Sequence, residues 1–465
     1  MKTRVIFSQP ANRRLILIFA GWSTTPSFYR DLQSEGWDIA VVWDYTDLDF
    51  DPSIINNYSS IFIIAWSLGV AAAAHAAAST LPVGRISAAF AVNGTLFPSS
   101  DHYGIPEDIY EATRATLNAR NLLKFTKRMG YIPPAPESMP PIAPEDIYIP
   151  DFDSLALELE NIRSYALRGK LPWKRVYIST EDRIFPAESM HNYWISDSSK
   201  PQIVDLKAPH YVHLQRIINE VTPDIDKISK RFQRAVPTYD ANASAQKTII
   251  SNLVQLLPDA NAKSIGSMLE IGTGSGMLSR CLAEKLPNLN DATFLDLYSL
   301  PRLNIAPVEK YIRADAEKWI LDVASDSYDL IASANTIQWF ADPESFFRNV
   351  ARALRPGGSF LCSTFLKGNL EELDSMRPSP LLYRDEEELK EMLLRHFSHV
   401  TVKSEPIRLN FKTRRELLLH LKLTGVAGGS PSGLPYRNDA PSNASPFTGP
   451  YSLTYRPLYI FADNS

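Results

Sequence analysis

Short, almost wholly apolar runs recur through the first half of the chain, at Leu15–Ala20, Ile39–Trp43, Ile61–Trp66, Ala88–Val92 and Val176–Ser179, separated mostly by polar or helix-like stretches. Runs without polar alternation predict strands buried on both faces, so they read as a parallel sheet with crossover helices. Between Phe97 and Lys170 the rhythm stops. Helical patterns and proline-rich patches at Ile132–Pro136 and Pro140–Pro141 replace it, which predicts a helical lid inserted into the sheet domain. The stretch Ile61–Ala78 is long and apolar, yet Ser67, Gly69 and His75 interrupt it and its second half is mostly alanine. A buried strand followed by a buried helix fits it better than a membrane span. A second strand-and-helix rhythm begins at Met268, with strands expected at Met268–Ile271, Thr293–Leu295, Tyr328–Ala334 and Gly358–Phe365. A pair near Val400–Lys403 and Leu453–Phe461 is expected to close an antiparallel edge, and 425–450, rich in Gly, Pro, Ser and Asn, reads as a long loop without a legible role. The expected organisation is two α/β domains, 1–225 with its lid at about 97–170 and 232–465, with the boundary near 225–232.

A length of 465 residues agrees with two cores rather than one. With 45% apolar and 22% charged residues, both halves can bury a core, and a net charge of −4 gives no electrostatic footprint for nucleic acid. Cys281 and Cys362 are too few for a disulfide framework and are expected to be buried structural thiols of a cytoplasmic protein. Arg13 and Arg14 before Leu15–Ala20 imitate a secretory signal, but no small-residue cleavage pattern follows and the run has the length of a strand. No membrane association is expected.

The first candidate site lies where Ile61–Trp66 runs into Ser67, Leu68 and Gly69 and then an alanine-rich segment. A nucleophile elbow needs this context, because a serine on a sharp strand-to-helix turn tolerates only small neighbours two positions away on either side. Here they are Ala65 and Gly69, so the usual first glycine is replaced by the next smallest residue. Phe19-Ala20-Gly21-Trp22-Ser23 ends an earlier strand where an oxyanion loop belongs, and the backbone N–H groups of Trp22 and Leu68 are the candidate donors. The α/β-hydrolase order is serine, acid, histidine. Asp182, after the strand Arg175–Ser179, and His210, in Ala208-Pro209-His210-Tyr211, occupy the acid and base stations, with Glu181 and His213 as rivals.

The second candidate site is Met268–Leu278, where three alternating glycines, Gly272, Gly274 and Gly276, join an apolar strand to a helix. Dinucleotide sites use a similar turn. The acid two residues before the first glycine, Glu270, is what marks the methyltransferase form that binds S-adenosylmethionine. Asp296 at the end of the next strand suits the ribose hydroxyls, and Asp315 in Arg313-Ala314-Asp315-Ala316 suits the adenine amino group. No metal is expected.

On these residues the first half, over roughly 1–215, resembles the pimeloyl-acyl-carrier-protein methyl ester esterase family of biotin synthesis, the BioG type. The Phe-Ala-Gly-Trp-Ser turn, the Trp-Ser-Leu-Gly elbow and the compact lid carry that resemblance. The second half, over nearly all of 230–465, resembles class I Rossmann-like methyltransferases. Phe232–Gln246 and Ser333–Trp339 narrow it to something similar to the malonyl-acyl-carrier-protein O-methyltransferase family, the BioC type. The resemblance implies that Tyr239 closes over the cofactor and that Asn335, Gln338 and Trp339 line the substrate cleft, although Trp339 reads equally as a core aromatic. It also implies an acyl-carrier protein as partner, for which Arg120, Lys124, Lys127 and Arg128 on the lid are candidate contacts or simply a solvated basic face. Methylating an ionised carboxylate needs alignment and exclusion of water rather than a base. Two rival readings remain: a quinone-pathway fusion with a ring methyltransferase, and a methyltransferase whose hydrolase half is an inactive carrier-binding scaffold.

Overall fold

The computed structural model describes residues 1–9, 14–131, 149–164, 169–222, 225–298, 300, 302–373, 381, 383–424 and 451–464. Contacts divide the chain into two compact units, Met1–Asn219 and Glu220–Ser465, a few residues before the boundary read from sequence. Both are α/β.

Among the described residues the first unit is built on a seven-stranded sheet of β1 (Lys2–Phe7), β2 (Arg14–Phe19), β3 (Asp38–Trp43), β4 (Ser60–Trp66), β5 (Ile86–Val92), β6 (Trp173–Ser179) and β7 (Gln202–Leu206). Their order is β1-β3-β2-β4-β5-β6-β7, parallel throughout except for β1, which runs against β3. This is the α/β-hydrolase arrangement. The inner strands are buried on both faces, as their unbroken apolar sequences require. Edge strand β1 is half exposed and carries Lys2 and Arg4, which is why its sequence does not announce a strand. Helix α1 (Gly69–Ser79) follows β4 and is buried from Gly69 to Ala76. Its alanines let it lie close on the sheet. Helices α2 (Glu107–Ala115), α3 (Ala119–Met129) and α4 (Phe152–Ser164) occupy the expected lid segment, whose proline-rich stretch lies outside the described residues. Helices α5 (Ala187–Ser196) and α6 (Leu214–Val221) complete the order.

The second unit opens with α7 (Ile225–Asn242), α8 (Ser244–Gln255) and α9 (Asp259–Ser264). It continues through β8 (Ser267–Ile271), α10 (Met277–Lys285), β9 (Asp291–Asp296), β10 (Val308–Arg313), α11 (Ala316–Trp319), β11 (Tyr328–Ala334), α12 (Pro343–Ala353) and β12 (Leu354–Phe365). Then come α13 (Glu386–Leu394), β13 (His399–Ser404), β14 (Ile407–Phe411), α14 (Arg414–Leu423), β15 (Tyr451–Tyr455) and β16 (Pro457–Asp463). The main sheet has the order β10-β9-β8-β11-β12-β16-β13, with β16 antiparallel to both its neighbours. It is the class I methyltransferase arrangement.

Two expectations need correction here. Leu453–Phe461 is not one strand: β15 pairs with β14 in a separate two-stranded sheet, and only β16 enters the main one. Arg456 makes the break, because its N–H donates to Asn369 Oδ1 (3.0 Å) instead of a strand carbonyl, although its carbonyl still accepts from the Leu366 N–H (2.9 Å) next to the Phe365–Pro457 pair. Strand β10 was not anticipated, since its edge position leaves Glu309, Lys310 and Arg313 in a polar sequence. Cys362 is buried but Cys281 only partly so. The segment 425–450 lies outside the described residues. No helix among the described residues is long and apolar enough to cross a membrane.

Candidate functional site

In the first unit, β4 delivers Ser67 at φ +58°, a left-handed conformation that costs a non-glycine residue of order 1–2 kcal/mol. The turn is tight enough that a Cβ on Gly69 would overlap the carbonyl oxygen of Phe19, so only glycine fits there. Ala65 is fully buried between β2 and β5, and the sheet accommodates its methyl group. His210 Nε2 lies 2.9 Å from Ser67 Oγ, and His210 Nδ1 lies 2.7 Å from Asp182 Oδ2. The other Asp182 oxygen accepts the backbone N–H groups of Ile184 (2.7 Å) and Phe185 (2.8 Å), which aim the carboxylate. Both side chains are fully enclosed, at 1% and 0% exposure. The rivals are elsewhere: Glu181 is exposed, and His213 pairs with Asp31 at 2.8 Å.

Two residues that sequence reading missed hold the histidine loop. Asn93, at the end of β5 with φ +49°, donates to the His210 carbonyl (2.7 Å), while its Oδ1 accepts the Ser179 N–H (2.7 Å). Trp66 Nε1 donates to the same carbonyl at 3.2 Å. An asparagine after a strand carries no local signal of such a role; its partners are supplied by segments far away in sequence. The backbone N–H groups of Trp22 and Leu68 have no intramolecular acceptor among the described residues. Both residues line, with Ser67, a cavity of about 520 Å3 whose other walls are Ile105, Ile109, Tyr110, Phe125, Leu159 and Ile184, with Thr113, Arg128 and Arg183 adding polar groups. Of the four basic lid residues, all on the exposed side of α3, only Arg128 reaches this cavity; Arg120, Lys124 and Lys127 do not.

In the second unit the turn after β8 borders a cavity of about 1100 Å3. Gly272 sits at φ +73°, and a Cβ there would overlap Thr336, so any side chain would press the turn against the segment that follows β11. Gly274 and Gly276 also have positive φ. Glu270, enclosed at the end of β8, accepts a hydrogen bond from Ser279 Oγ, and burial pushes its carboxyl up to about 8. Asp296 accepts from the Gly274 N–H (2.8 Å) and the Leu297 N–H (2.7 Å), yet burial still raises it to about 6. Asp315 caps α11 through the Glu317 N–H (3.0 Å). Glu317, unremarked in the sequence, also borders the cavity and accepts the N–H groups of Ala341 (3.1 Å) and Asp342 (2.8 Å).

Helix α7 brings Tyr239 and Phe232 to the same cavity, and burial raises the Tyr239 hydroxyl far above its ordinary range. Phe232 meets Trp339 edge-on, with ring centroids 5.8 Å apart at 87°. Asn335, at φ +54°, and Trp339 both border the cavity. Gln338 does not: its amide donates to the Asn335 carbonyl at 2.5 Å, so it props the turn rather than lining the cleft. No lysine, arginine or histidine stands among the described wall residues, whereas four carboxyl groups do. Such walls suit a cationic ligand bearing hydroxyl groups.

Residues 1–217 match the family described as pimeloyl-ACP methyl esterase BioG, and residues 241–425 match a methyltransferase domain family. A malonyl-[acyl-carrier protein] O-methyltransferase of Bacteroides fragilis is 32% identical, covering 97% of this chain and 93% of its own. Another, of Porphyromonas gingivalis, is 37% identical over 51% of this chain and 96% of its own. Among solved structures, BioG of Haemophilus influenzae is 28% identical over 46% of this chain and 95% of that one, with a TM-score of 0.37. The chain thus belongs to the malonyl-[acyl-carrier protein] O-methyltransferase family, in a form that joins a BioG-type N-terminal region to a BioC-type methyltransferase domain.

Proposed function

We propose that the chain carries two active enzymes of biotin synthesis, one that methylates the free carboxylate of malonyl-acyl-carrier protein and one that hydrolyses pimeloyl-acyl-carrier protein methyl ester after elongation. The observation that carries the esterase half is the continuous hydrogen-bonded series from Ser67 through His210 to Asp182, with serine at positive φ. Ser67 Oγ attacks the ester carbonyl as His210 Nε2 takes its proton, and Asp182 holds the ring in the tautomer that can accept it. The N–H groups of Trp22 and Leu68 receive the negative charge on the carbonyl oxygen. Methanol leaves with the proton from His210, and water, deprotonated by the same nitrogen, then releases the carboxylate and restores Ser67.

In the second unit, S-adenosylmethionine supplies when bound a methyl group already activated by its positive sulfur. The chain's own residues do the rest by holding and sheltering. Asp296 would accept from hydroxyl groups of the nucleoside, Asp315 would serve its base, Glu270 and the glycine turn would hold the amino-acid end, and Tyr239 with Phe232 would cover the cavity that they all line. Among the described walls the negative field favours the cation without a base, and none is required for an acceptor that is already ionised.

The esterase half is tested by a fluorophosphonate probe on the whole chain. Labelling should fall on Ser67 and vanish in Ser67→Ala; an unlabelled Ser67 in a folded protein would support a scaffold instead.

A further inference from the structure

A methyl esterase in the same chain as a carboxyl methyltransferase must spare the short methyl ester that its companion makes and cleave the longer one. The contacts that fasten the lid of the first unit to the sheet domain gather around Trp22.

The backbone N–H of Trp22 has no acceptor among the described residues, and its side chain belongs to the lid. Trp22 Nε1 donates to the Leu155 carbonyl of α4 at 3.0 Å, and the indole meets Phe125 of α3 edge-on, centroids 5.0 Å apart at 83°. A second tie runs in parallel: Asn161 of α4 donates to the carbonyls of Tyr45 (3.2 Å) and Thr46 (2.7 Å), and the Tyr45 hydroxyl donates to the Ala20 carbonyl (2.7 Å), two residues before Trp22. A third reaches the histidine loop, where the Tyr211 N–H donates to the Met129 carbonyl at the end of α3 (2.8 Å). The lid helices are themselves fastened together, the Tyr110 hydroxyl of α2 donating to the Leu159 carbonyl of α4 at 2.8 Å. Of the apolar walls that an acyl chain would touch, Phe125 and Leu159 are therefore on the two helices that hold the Trp22 indole, and Tyr110 is on α2, which is bonded to one of them. Trp22 is followed by Ser23 at φ +63°, so its peptide sits beside a strained link that these ties keep in place.

Resting on the esterase reading above, we propose that Trp22 is a positioning residue that couples acyl-chain occupancy of the lid to the oxyanion hole. A medium-length chain packs against the lid walls and holds the Trp22 N–H in line with the carbonyl oxygen. A short chain leaves them unfilled, and the donor wanders. Binding energy from the far part of the substrate is then expressed at the reacting carbonyl, so chain-length selection appears in kcat more than in KM.

The test uses the whole chain with the methyl esters of malonyl- and pimeloyl-carrier protein, measuring kcat and KM separately. For the unaltered protein the longer ester should have the higher kcat by about 100-fold, the scale of losing one oxyanion donor, while the two KM values differ by only a few-fold. Trp22→Phe keeps a ring against Phe125 but removes the hydrogen bond to Leu155, and should cut that kcat ratio by about tenfold through a selective loss on the longer ester. Phe125→Leu, which leaves Trp22 intact, should move the ratio in the same direction. Selection residing in KM alone, or equal kcat losses on both esters in both variants, would overturn the proposal. If the unaltered chain cleaves neither ester and no fluorophosphonate marks Ser67, the esterase reading itself falls and takes the proposal with it; cleavage of both at one kcat sinks only the coupling.

Discussion

The two candidate sites differ in what their polar groups are bonded to. In the first unit the groups proposed to react are bonded to one another, with both His210 ring nitrogens engaged at 2.7 and 2.9 Å. In the second they are bonded to the frame: Glu270 to Ser279, Asp296 to the glycine turn, Asp315 to the start of α11. The contrast follows the chemistry. An alcohol must lose a proton in order to attack, so a relay has to stand ready in a dry pocket; an ionised carboxylate attacking a cationic methyl donor asks only for shape, field and shelter.

That contrast is most severely strained by removing the nucleophile. Ser67→Ala should lower ester hydrolysis by about 10⁴-fold or more, since triad members act as a unit, while methyl transfer by the same preparation stays within about twofold. Parallel hydrolase and methyltransferase assays check it. The converse is Gly272→Ala: a methyl group placed against Thr336 at positive φ should weaken cofactor binding by about 100-fold, read by calorimetry, with hydrolysis intact.

A smaller effect sharpens the electrostatic half. Because burial holds the Asp296 carboxyl near 6 before ligand binds, it gains its charge only as pH rises through that value, so cofactor affinity should increase between pH 5 and 7. Asp296→Asn should flatten the trend and weaken binding by about tenfold at pH 7. Affinity falling over the same interval would contradict the assignment.

The smallest effect concerns the lid. Glu158 of α4 is buried beside Tyr45, and burial lifts its carboxyl to about 8, with the Asp44 carboxylate adding to the rise. The folded protein keeps that proton after the unfolded chain has lost it, so this group's contribution is full below about pH 4.5 and is lost as pH rises towards 8. Glu158→Gln removes the loss, and its melting temperature relative to the parent should rise steadily between pH 5 and 8 in scanning calorimetry.

Legibility in sequence tracked how local each requirement was. The elbow around Ser67 and the turn at Gly272–Gly276 are demanded by backbone geometry within a few residues, and so they could be read directly. The central strands were legible because burial on both faces leaves no polar alternation. Edge strands β1 and β10, half solvated, left no such mark. Asn93 was illegible because its partners, His210 and Ser179, come from distant segments. Gln338 shows the converse: a motif names a residue without saying which way its side chain turns, and here it turns back onto Asn335. The same blindness hid the Trp22 indole, whose neighbours come from two lid helices.

The most direct test of one chain with two chemistries is mass spectrometry of the whole protein acting on two carrier proteins side by side. Malonyl-carrier protein with S-adenosylmethionine should gain the mass of one methylene group, and pimeloyl-carrier protein methyl ester should lose it, the loss alone disappearing in Ser67→Ala. A chain that performs the gain but leaves the pimeloyl ester untouched would contradict the bifunctional reading.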